Sequence, residues 1–352
     1  MAEGDSTMKG TRSRKSTASS ERASEKLAEA RFLMEEETAQ SADAIAYVHA
    51  VLSQIGLPRS PQKERVWTRS NGGASLRVVA GALMTQPEKW VDQPLPQGPY
   101  ARLILADIAT YAVRFKTRVI PMEDSIRAYM QKRLKLLVSA GAKGTYTAFK
   151  REALALSAAH LELGLACDGK IRNAGGRPIE AFDAWVVEEG GQQALWPCEL
   201  VLSELFFRSL KTQAMPIDMR AYRALAHSAF AQDIYTWLAH RLPRLKAPLR
   251  LPWSTLAAQF GGYASTKKFR DEFVKRLKEV QAVYPDAKLE LLRGRRGEAG
   301  GSLLIKPSPG PVPRIGAVLP ASIGAPAVLG DPIPGVRAPD GFPAVHGEPE
   351  KP

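Results

Sequence analysis

Two successive stretches of the chain show the same order of sequence patterns. The first, from near Gly98, has three helical segments, and the second, from near Pro216, has four; in each the last helix is basic and is followed by short apolar runs and Gly-containing turns. Apolar residues that recur every three or four positions indicate helices, and short β-like runs separated by turns indicate hairpins. The order helix, helix, basic helix, hairpin is that of a winged helix, a helix-turn-helix followed by a β wing. We therefore predict an α+β, mainly helical fold with two tandem winged-helix domains.

The last helix of the second stretch combines an apolar face with a basic one. Its segment TKKFRDEFVKRLKEV, over residues 266–280, carries apolar residues at i, i+4, i+8 and i+11, which form one stripe on a helix. In a helix-turn-helix the last helix lies in the DNA major groove, where Lys and Arg can donate to guanine. The predicted DNA-binding residues of this helix are Thr266, Lys267, Lys268, Arg270 and Lys275. Asp271 and Glu272 would be repelled by phosphate, so we expect them to orient neighbouring basic side chains.

Two further groups of side chains occupy adjacent or equivalent positions. The loop of the predicted hairpin, RGRRG, suits contact with phosphate or the minor groove through Arg293, Arg295 and Arg296. The basic helix of the first stretch begins with Lys143, Thr145, Thr147, Lys150 and Arg151. For any isolated basic helix, solvated surface charge is the simpler interpretation. The repetition at the same place in two stretches favours DNA contact.

The positive charge of the chain is concentrated in its middle. With 49 Lys and Arg against 36 Asp and Glu the net charge is +13, while residues 1–50 sum to −2 and residues 306–352 to zero. Residues 51–305 therefore carry +15, which favours a surface that binds a polyanion, although basicity can also serve solubility alone.

Composition divides the chain into five segments. The first residues are rich in Ser, Thr and charge, and the last 47 contain 12 Pro and 7 Gly, so both ends are predicted to be disordered. Between residues 27 and 55 the pattern is helical, with Ile45, Val48, Leu52 and Ile55 at helical spacing. The predicted segments are 1–25, a disordered tail; 26–60, a helical segment; 61–212, a first winged-helix domain for dimerisation and DNA contact; 213–306, a second for DNA recognition; and 307–352, a disordered tail.

The motifs of several enzyme classes are absent from the sequence. It contains no G-x-x-x-x-G-K-[ST] or H-E-x-x-H segment, and its five histidines are scattered, so we expect no catalysis, metal or cofactor. Cys167 and Cys198 fall in predicted strands and are interpreted as small buried hydrophobes, which fits a reducing cytoplasm. Tyr235, Trp237 and Trp253 have apolar neighbours and are expected in the core. With no apolar run of membrane-spanning length and no secretory signal, we expect a cytoplasmic protein without membrane contact.

Two segments resemble the plasmid-encoded RepA-type replication initiator family. The first, LPQGPYARLILADIATYAVRFKTRVIPMEDSIRAYMQKRL over 95–134, has the family's Leu-Pro-x-Gly start, Ala-Val-Arg-x-Lys-[ST]-Arg run and following Ser-containing helix. The second, over 214–242, contains Asp-x-Tyr-x-Trp-Leu-x-x-Arg-Leu at 233–242, and PWSTLAAQFGGY with the basic helix continues the likeness to about residue 307. One departure is that SAGAKGTYTAFKREA replaces a Gly-Gly and a Gln of the family, with Glu152 near the Gln position.

The resemblance implies a bacterial, plasmid- and nucleoid-associated initiator with paired winged-helix domains. Such proteins bind direct repeats, called iterons, in double-stranded origin DNA, help to melt adjacent DNA and recruit host replication proteins; the partners expected here are a host replication initiator and the replicative helicase. A homodimer in equilibrium with monomer and repression of the chain's own promoter are expected too. Within the 233–242 motif, Asp233 is expected to cap its helix or to pair with Arg241. The alternatives are a transcriptional repressor of the same fold, a nucleic-acid-processing enzyme, and a non-specific binder of RNA or single strands.

Overall fold

The computed structural model describes residues 44–71, 74–86, 88–142, 144–167, 170–189, 192–294 and 301–312. The helices are α1 (Ala50–Gln54), α2 (Gly98–Phe115), α3 (Ile126–Ala128) continued by a π-helical turn (Tyr129–Arg133), α4 (Thr145–Ala158), α5 (Glu204–Gln213), α6 (Met219–Ala224), α7 (Ala229–Arg241) continued by a 3₁₀ turn (Leu242–Arg244), α8 (Trp253–Phe260) and α9 (Thr266–Val283). The strands are β1 (Ile45–His49), β2 (Val66–Asn71), β3 (Ala74–Val79), β4 (Ala82–Gln86), β5 (Lys89–Asp92), β6 (Val119–Pro121), β7 (His160–Cys167), β8 (Lys170–Gly176), β9 (Ile179–Glu189), β10 (Gln192–Leu202), β11 (Ala214–Asp218), β12 (Leu249–Pro252), β13 (Leu289–Leu292) and β14 (Ser302–Ile305). The fold is α+β, and the predicted 1–25 tail lies outside the described residues.

The two stretches share one topology. The first runs α2, β6, α3, α4 and then the hairpin β9–β10, with β7 and β8 inserted before the hairpin. The second runs α7, β12, α8, α9 and then the hairpin β13–β14. In each, the early strand pairs antiparallel with the second strand of the hairpin, which gives the sheet orders β6-β10-β9 and β12-β14-β13. The duplicated order predicted from the sequence is therefore present, with β6 and β12 as strands that the prediction missed.

The remaining strands enlarge the first stretch beyond the predicted elements. Strands β2, β3, β7 and β8 form a four-stranded antiparallel sheet, and β4 pairs with β5 as a separate hairpin. Helix α4 ends at Ala158, and His160–Cys167 then forms a strand between β3 and β8. Phe149 and Leu156 are fully buried on α4.

The N-terminal segment is a strand where a helix was predicted. Residues 45–49 form β1, which pairs antiparallel with β11 in register from Ile45 with Asp218 to His49 with Ala214. Ala46 and Val48 are buried, at the spacing of two that places both on one face of a strand. In the described part of this segment, which begins at residue 44, the α-helix is confined to residues 50–54, and it is begun by His49, whose Nδ1 accepts from the Val51 amide at 3.2 Å. The helical prediction failed because β11, the partner that pairs with this backbone, is distant in sequence.

A buried ion pair joins the two stretches. Arg102 of α2 donates from Nε and Nη2 to the two carboxylate oxygens of Asp233 on α7, at 2.7 and 3.0 Å, and the side chains are only 5% and 8% exposed. Arg102 also donates to the backbone carbonyls of Leu57, Pro58 and Gly98. The expected pairing of Asp233 with Arg241 is therefore wrong, because a bidentate fork from α2 satisfies the carboxylate within the core.

The first residues of the predicted C-terminal tail are bound to the second stretch. The Ser308 hydroxyl accepts from the Lys288 amide at 3.0 Å, and the Tyr284 hydroxyl donates to the Pro309 carbonyl. Residues 306–312 thus pack beside the β13–β14 hairpin, in contrast to the mobility predicted for them. The rest of the predicted tail lies outside the residues that the structure describes.

Candidate nucleic-acid interface

Helix α9 is fixed by its apolar face. Its buried side chains recur at three- and four-residue spacing, and Ser265 begins the helix by accepting from the Lys268 amide at 3.3 Å. The buried residues are Phe269, Phe273, Leu277, Val280 and Val283. Phe273 packs edge-on against the rings of Trp237 and Trp253, at 6.4 and 5.7 Å between ring centroids. This aromatic core leaves only the opposite face of α9 available to a partner.

The exposed face of α9 is mainly basic. At 100° per residue, Lys267, Asp271, Lys275 and Lys278 lie on the side opposite Phe269, and all four are exposed. Thr266, Lys268 and Arg270, also exposed, flank this row at the start of the helix. The residues predicted to bind DNA on this helix are therefore all exposed, at its N-terminal end and along its solvent face. Lys278 was missed, although its spacing of eleven from Lys267 is the same signal that revealed the apolar stripe.

Two acidic residues of α9, Glu272 and Glu279, form ion pairs along one flank of the helix. Glu272 accepts from Arg276 at 2.7 Å, and Arg276 also donates to Glu279 at 3.0 Å. Glu279 in turn lies 3.1 Å from Nε2 of His227. The expectation that Glu272 orients a basic neighbour agrees with this geometry. Glu272 and Glu279 are thus held on the flank, whereas Asp271 stays exposed among the lysines, so the solvent face carries three lysines against one aspartate.

Arg270 leans toward the preceding helix. Its guanidinium carbon lies 6.0 Å from the centroid of the Trp253 ring, at the outer limit of a cation–π contact, while the side chain stays exposed. The buried Trp253 at the start of α8 thus gives Arg270 a preferred direction without removing its donors from solvent.

The hairpin loop of the second stretch is described only in part. Arg293 is exposed directly after strand β13, whereas Arg295 and Arg296 lie outside the described residues. The strands on either side are in register, with Leu292 opposite Ser302. The position of Arg293 at the end of a paired strand agrees with its predicted place at the start of the wing loop.

The threonine hydroxyl groups at the start of α4 form hydrogen bonds within the protein. Thr145 accepts from the Ser139 amide at 2.8 Å and donates to the Leu137 carbonyl at 3.1 Å, and Thr147 donates to the Gly141 carbonyl at 2.9 Å. Both threonines therefore fasten the loop that precedes the helix. Lys143, predicted with them, lies outside the described residues.

Arg151 of α4 is tied to a buried carboxylate. Its Nε donates to Glu152 at 2.9 Å, while the side chain remains 54% exposed. Burial raises the pKa of Glu152, and hydrogen bonds from Arg151 and from the Gln97 amide at 2.8 Å oppose that rise. Glu152 thus connects α4 to the start of α2. Lys150 is partly buried. The candidate DNA-binding residues of α4 therefore offer fewer exposed hydrogen-bond donors than those of α9.

The aromatic residues singled out from the sequence belong to the core. Tyr235, Trp237 and Trp253 are at most 2% exposed, and the Tyr235 hydroxyl accepts from the Asp218 amide at 3.0 Å. They form no stacking platform for bases. In the described ranges, no three His, Cys, Asp or Glu side chains converge as metal ligands. No helix in the described part of the chain is both long and apolar enough to cross a membrane.

Comparison with known proteins gives a family match to the central part of the chain. A sequence profile described as "Plasmid encoded RepA protein" matches residues 95–250, which confirms the resemblance found in the sequence. No curated protein matches the chain. Two crystal structures of domains 2 and 3 of RctB are similar to this chain at 13% identity. For the first, the TM-score is 0.48 and the alignment covers 73% of this chain and 97% of the RctB chain. For the second, the TM-score is 0.46 and the alignment covers 73% of this chain and 96% of the RctB chain.

Proposed function

We propose that this chain, whose residues 95–250 match the profile of the plasmid-encoded RepA protein, is a replication initiator that binds direct repeats at a plasmid origin. In this proposal the protein reads double-stranded DNA, promotes opening of adjacent DNA and recruits a host replication initiator and the replicative helicase. It acts without catalysis and without a cofactor, in association with its plasmid in the bacterial cytoplasm. Repression of its own promoter follows where operator copies of the repeat occur.

The observation that carries the proposal is the solvent face of α9. An amphipathic helix that buries five apolar side chains and presents Lys267, Lys275 and Lys278 in one row has the form of a recognition helix. Thr266, Lys268 and Arg270 add donors at its start, where base edges are reached in the major groove. Arg293, together with Arg295 and Arg296, is proposed to contact phosphate or the minor groove from the wing.

The duplicated topology supports two winged-helix domains. In each stretch a helix, a strand, a second helix and a third helix precede a hairpin, and the early strand completes the sheet. We assign residues 61–212 to the first domain and 213–306 to the second. The first is proposed to contact a neighbouring groove or phosphates through Lys143, Lys150 and Arg151, and to contribute to a homodimer in equilibrium with monomer.

The arrangement of binding sites on the DNA distinguishes an initiator from a repressor of the same fold. The experiment measures binding of the full chain by fluorescence anisotropy to duplexes that carry two tandem repeats from its upstream region, one inverted repeat, or a shuffled sequence. Permanganate reactivity then reports opening of an adjacent AT-rich segment. An initiator binds the tandem repeats and raises the reactivity of unpaired thymines. Binding confined to an inverted repeat, without opening, would support the repressor, and equal binding to all three duplexes would contradict sequence-specific recognition.

A further inference from the structure

Three arginines gather around a single carboxylate beside the turn between α8 and α9. Arg102 occupies both oxygens of Asp233, as described above. Arg59 lies on the segment after α1, and Arg69 lies on strand β2; both interact electrostatically with Asp233 and Arg102. One negative charge therefore faces three positive charges, and its hydrogen-bonding oxygens are already used by Arg102.

Arg59 holds the turn. Its Nη2 donates to the carbonyls of Phe260 and Gly261 at 2.8 and 2.5 Å, and its guanidinium lies over the Phe230 ring at 4.4 Å. Gly261 and Gly262 have φ of +57° and +81°, in the region that favours glycine. A Cβ on Gly262 would lie 2.9 Å from Arg59 Nη2, so a side chain there would displace the arginine. The turn that aims the start of α9 is thus fixed by a residue from outside the second stretch.

Arg69 is adjacent to the same turn, but its side chain has no hydrogen-bond acceptor among the described residues. Its Nη2 would lie 3.4 Å from a Cβ on Gly261, and its guanidinium stands 5.0 Å from the Trp67 ring centroid. Within the described ranges, no carboxylate or carbonyl accepts a hydrogen bond from its side chain. Burial, followed by repulsion from Arg59, lowers the pKa of Arg69 to about 10. A partly buried guanidinium with unused donors and cationic neighbours is stabilised by an anion from outside the chain.

We propose that Arg69 binds a backbone phosphate of DNA at the α8–α9 turn, so that strand β2, which precedes the first stretch, extends the DNA surface of the second. This inference rests on the proposed function, because the phosphate belongs to the duplex that α9 reads. The turn directly precedes Ser265 and the exposed start of α9. Phosphate contacts beside a recognition helix fix its register on the duplex without reading sequence.

The test compares the salt dependence of DNA binding in wild type and three variants of the full chain. Affinity for a tandem-repeat duplex and for a shuffled duplex is measured between about 50 and 200 mM KCl. Arg69→Gln removes the charge, and Arg69→Lys retains it. Arg77→Gln is the matched control, since Arg77 lies on the adjacent strand of the same sheet, is similarly basic and is already paired with Glu162 at 2.6 Å.

Loss of one phosphate contact lowers the magnitude of the log–log salt slope by about 0.9 and weakens both duplexes roughly equally, by about tenfold near 0.1 M salt. We expect this for Arg69→Gln alone, with Arg69→Lys and Arg77→Gln close to wild type. If Arg69→Gln fails to fold, the log–log salt slopes of Arg69→Lys and Arg69→Met supply the same contrast between a charged and an uncharged residue 69. A melting curve of each variant checks that it is folded.

Three results would overturn the inference. An unchanged slope in folded Arg69→Gln, with wild type binding DNA normally, refutes the phosphate contact and leaves the proposed function intact. Stabilisation of wild type by inorganic phosphate, lost in Arg69→Gln while the DNA slope is unchanged, assigns the site to a free anion. Absence of DNA binding by wild type refutes the proposed function and this inference together.

Discussion

Replacing Arg102 by Met removes one partner of the ion pair that joins α2 to α7. The pair is bidentate and at most 8% exposed, so the variant leaves the Asp233 carboxylate buried and without its two hydrogen-bond donors from Arg102, while Arg59 and Arg69 remain as nearby positive charges. Breaking a buried pair in this way costs about 3–5 kcal/mol of the free energy of unfolding. The carbonyls of Leu57, Pro58 and Gly98 lose a donor in the same variant, which places the expected loss toward the upper end of that range.

Urea unfolding followed by far-UV circular dichroism measures this loss. Arg77→Met is the control, because Arg77 and Glu162 form an exposed pair whose removal costs less than about 1 kcal/mol. A loss below about 1 kcal/mol in Arg102→Met would refute the argument that Asp233 depends on Arg102.

Three further variants test separate features of the core. Gly56→Ala places a Cβ 2.6 Å from Asp233 Oδ1, so it is expected to destabilise the fold by about 1–3 kcal/mol in the same urea assay, and a neutral result would contradict that contact. Burial lowers the pKa of His49 to about 4, whereas a His of the unfolded chain titrates near 6.5, so the unfolded chain binds the proton more readily. The free energy of unfolding therefore falls by up to about 3 kcal/mol as the pH drops from about 6.5 to about 4. His49→Gln should reduce this fall. Trp237→Ala is expected to cost about 3–5 kcal/mol, whereas Trp90→Ala, at a side chain 67% exposed, should cost less than about 0.5 kcal/mol; equal losses would refute the assigned burial.

Features encoded within one helix could be predicted from the sequence. The stripe of Phe269, Phe273, Leu277 and Val280 fixes both the existence of α9 and the side that stays in solvent, because helical periodicity is local. The hairpins of both stretches were found in the same way, from apolar runs and glycine turns. These signals were sufficient to locate the basic face before any tertiary contact was known.

Features that depend on distant residues could not be predicted. Residues 45–49 have helical spacing, yet they form a strand because β11 offers a pairing edge far along the chain. Asp233 shares its helix with Arg241, but its partner Arg102 is 131 positions away. The place of Arg69 beside the α8–α9 turn likewise depends on packing between β2 and the second stretch, which no local pattern reports.

Footprinting on the DNA upstream of the chain's own gene determines whether the solvent face of α9 reads DNA. Wild type is compared with Lys267→Ala/Arg270→Ala, two changes at exposed positions that leave the apolar stripe intact, and with Arg77→Ala as an exposed basic control. The proposed function predicts regular protection over tandem repeats by wild type and by the control, and loss of that protection in the double variant, since each lost base contact costs about 1–3 kcal/mol. Protection by the double variant equal to that of wild type would contradict recognition through α9.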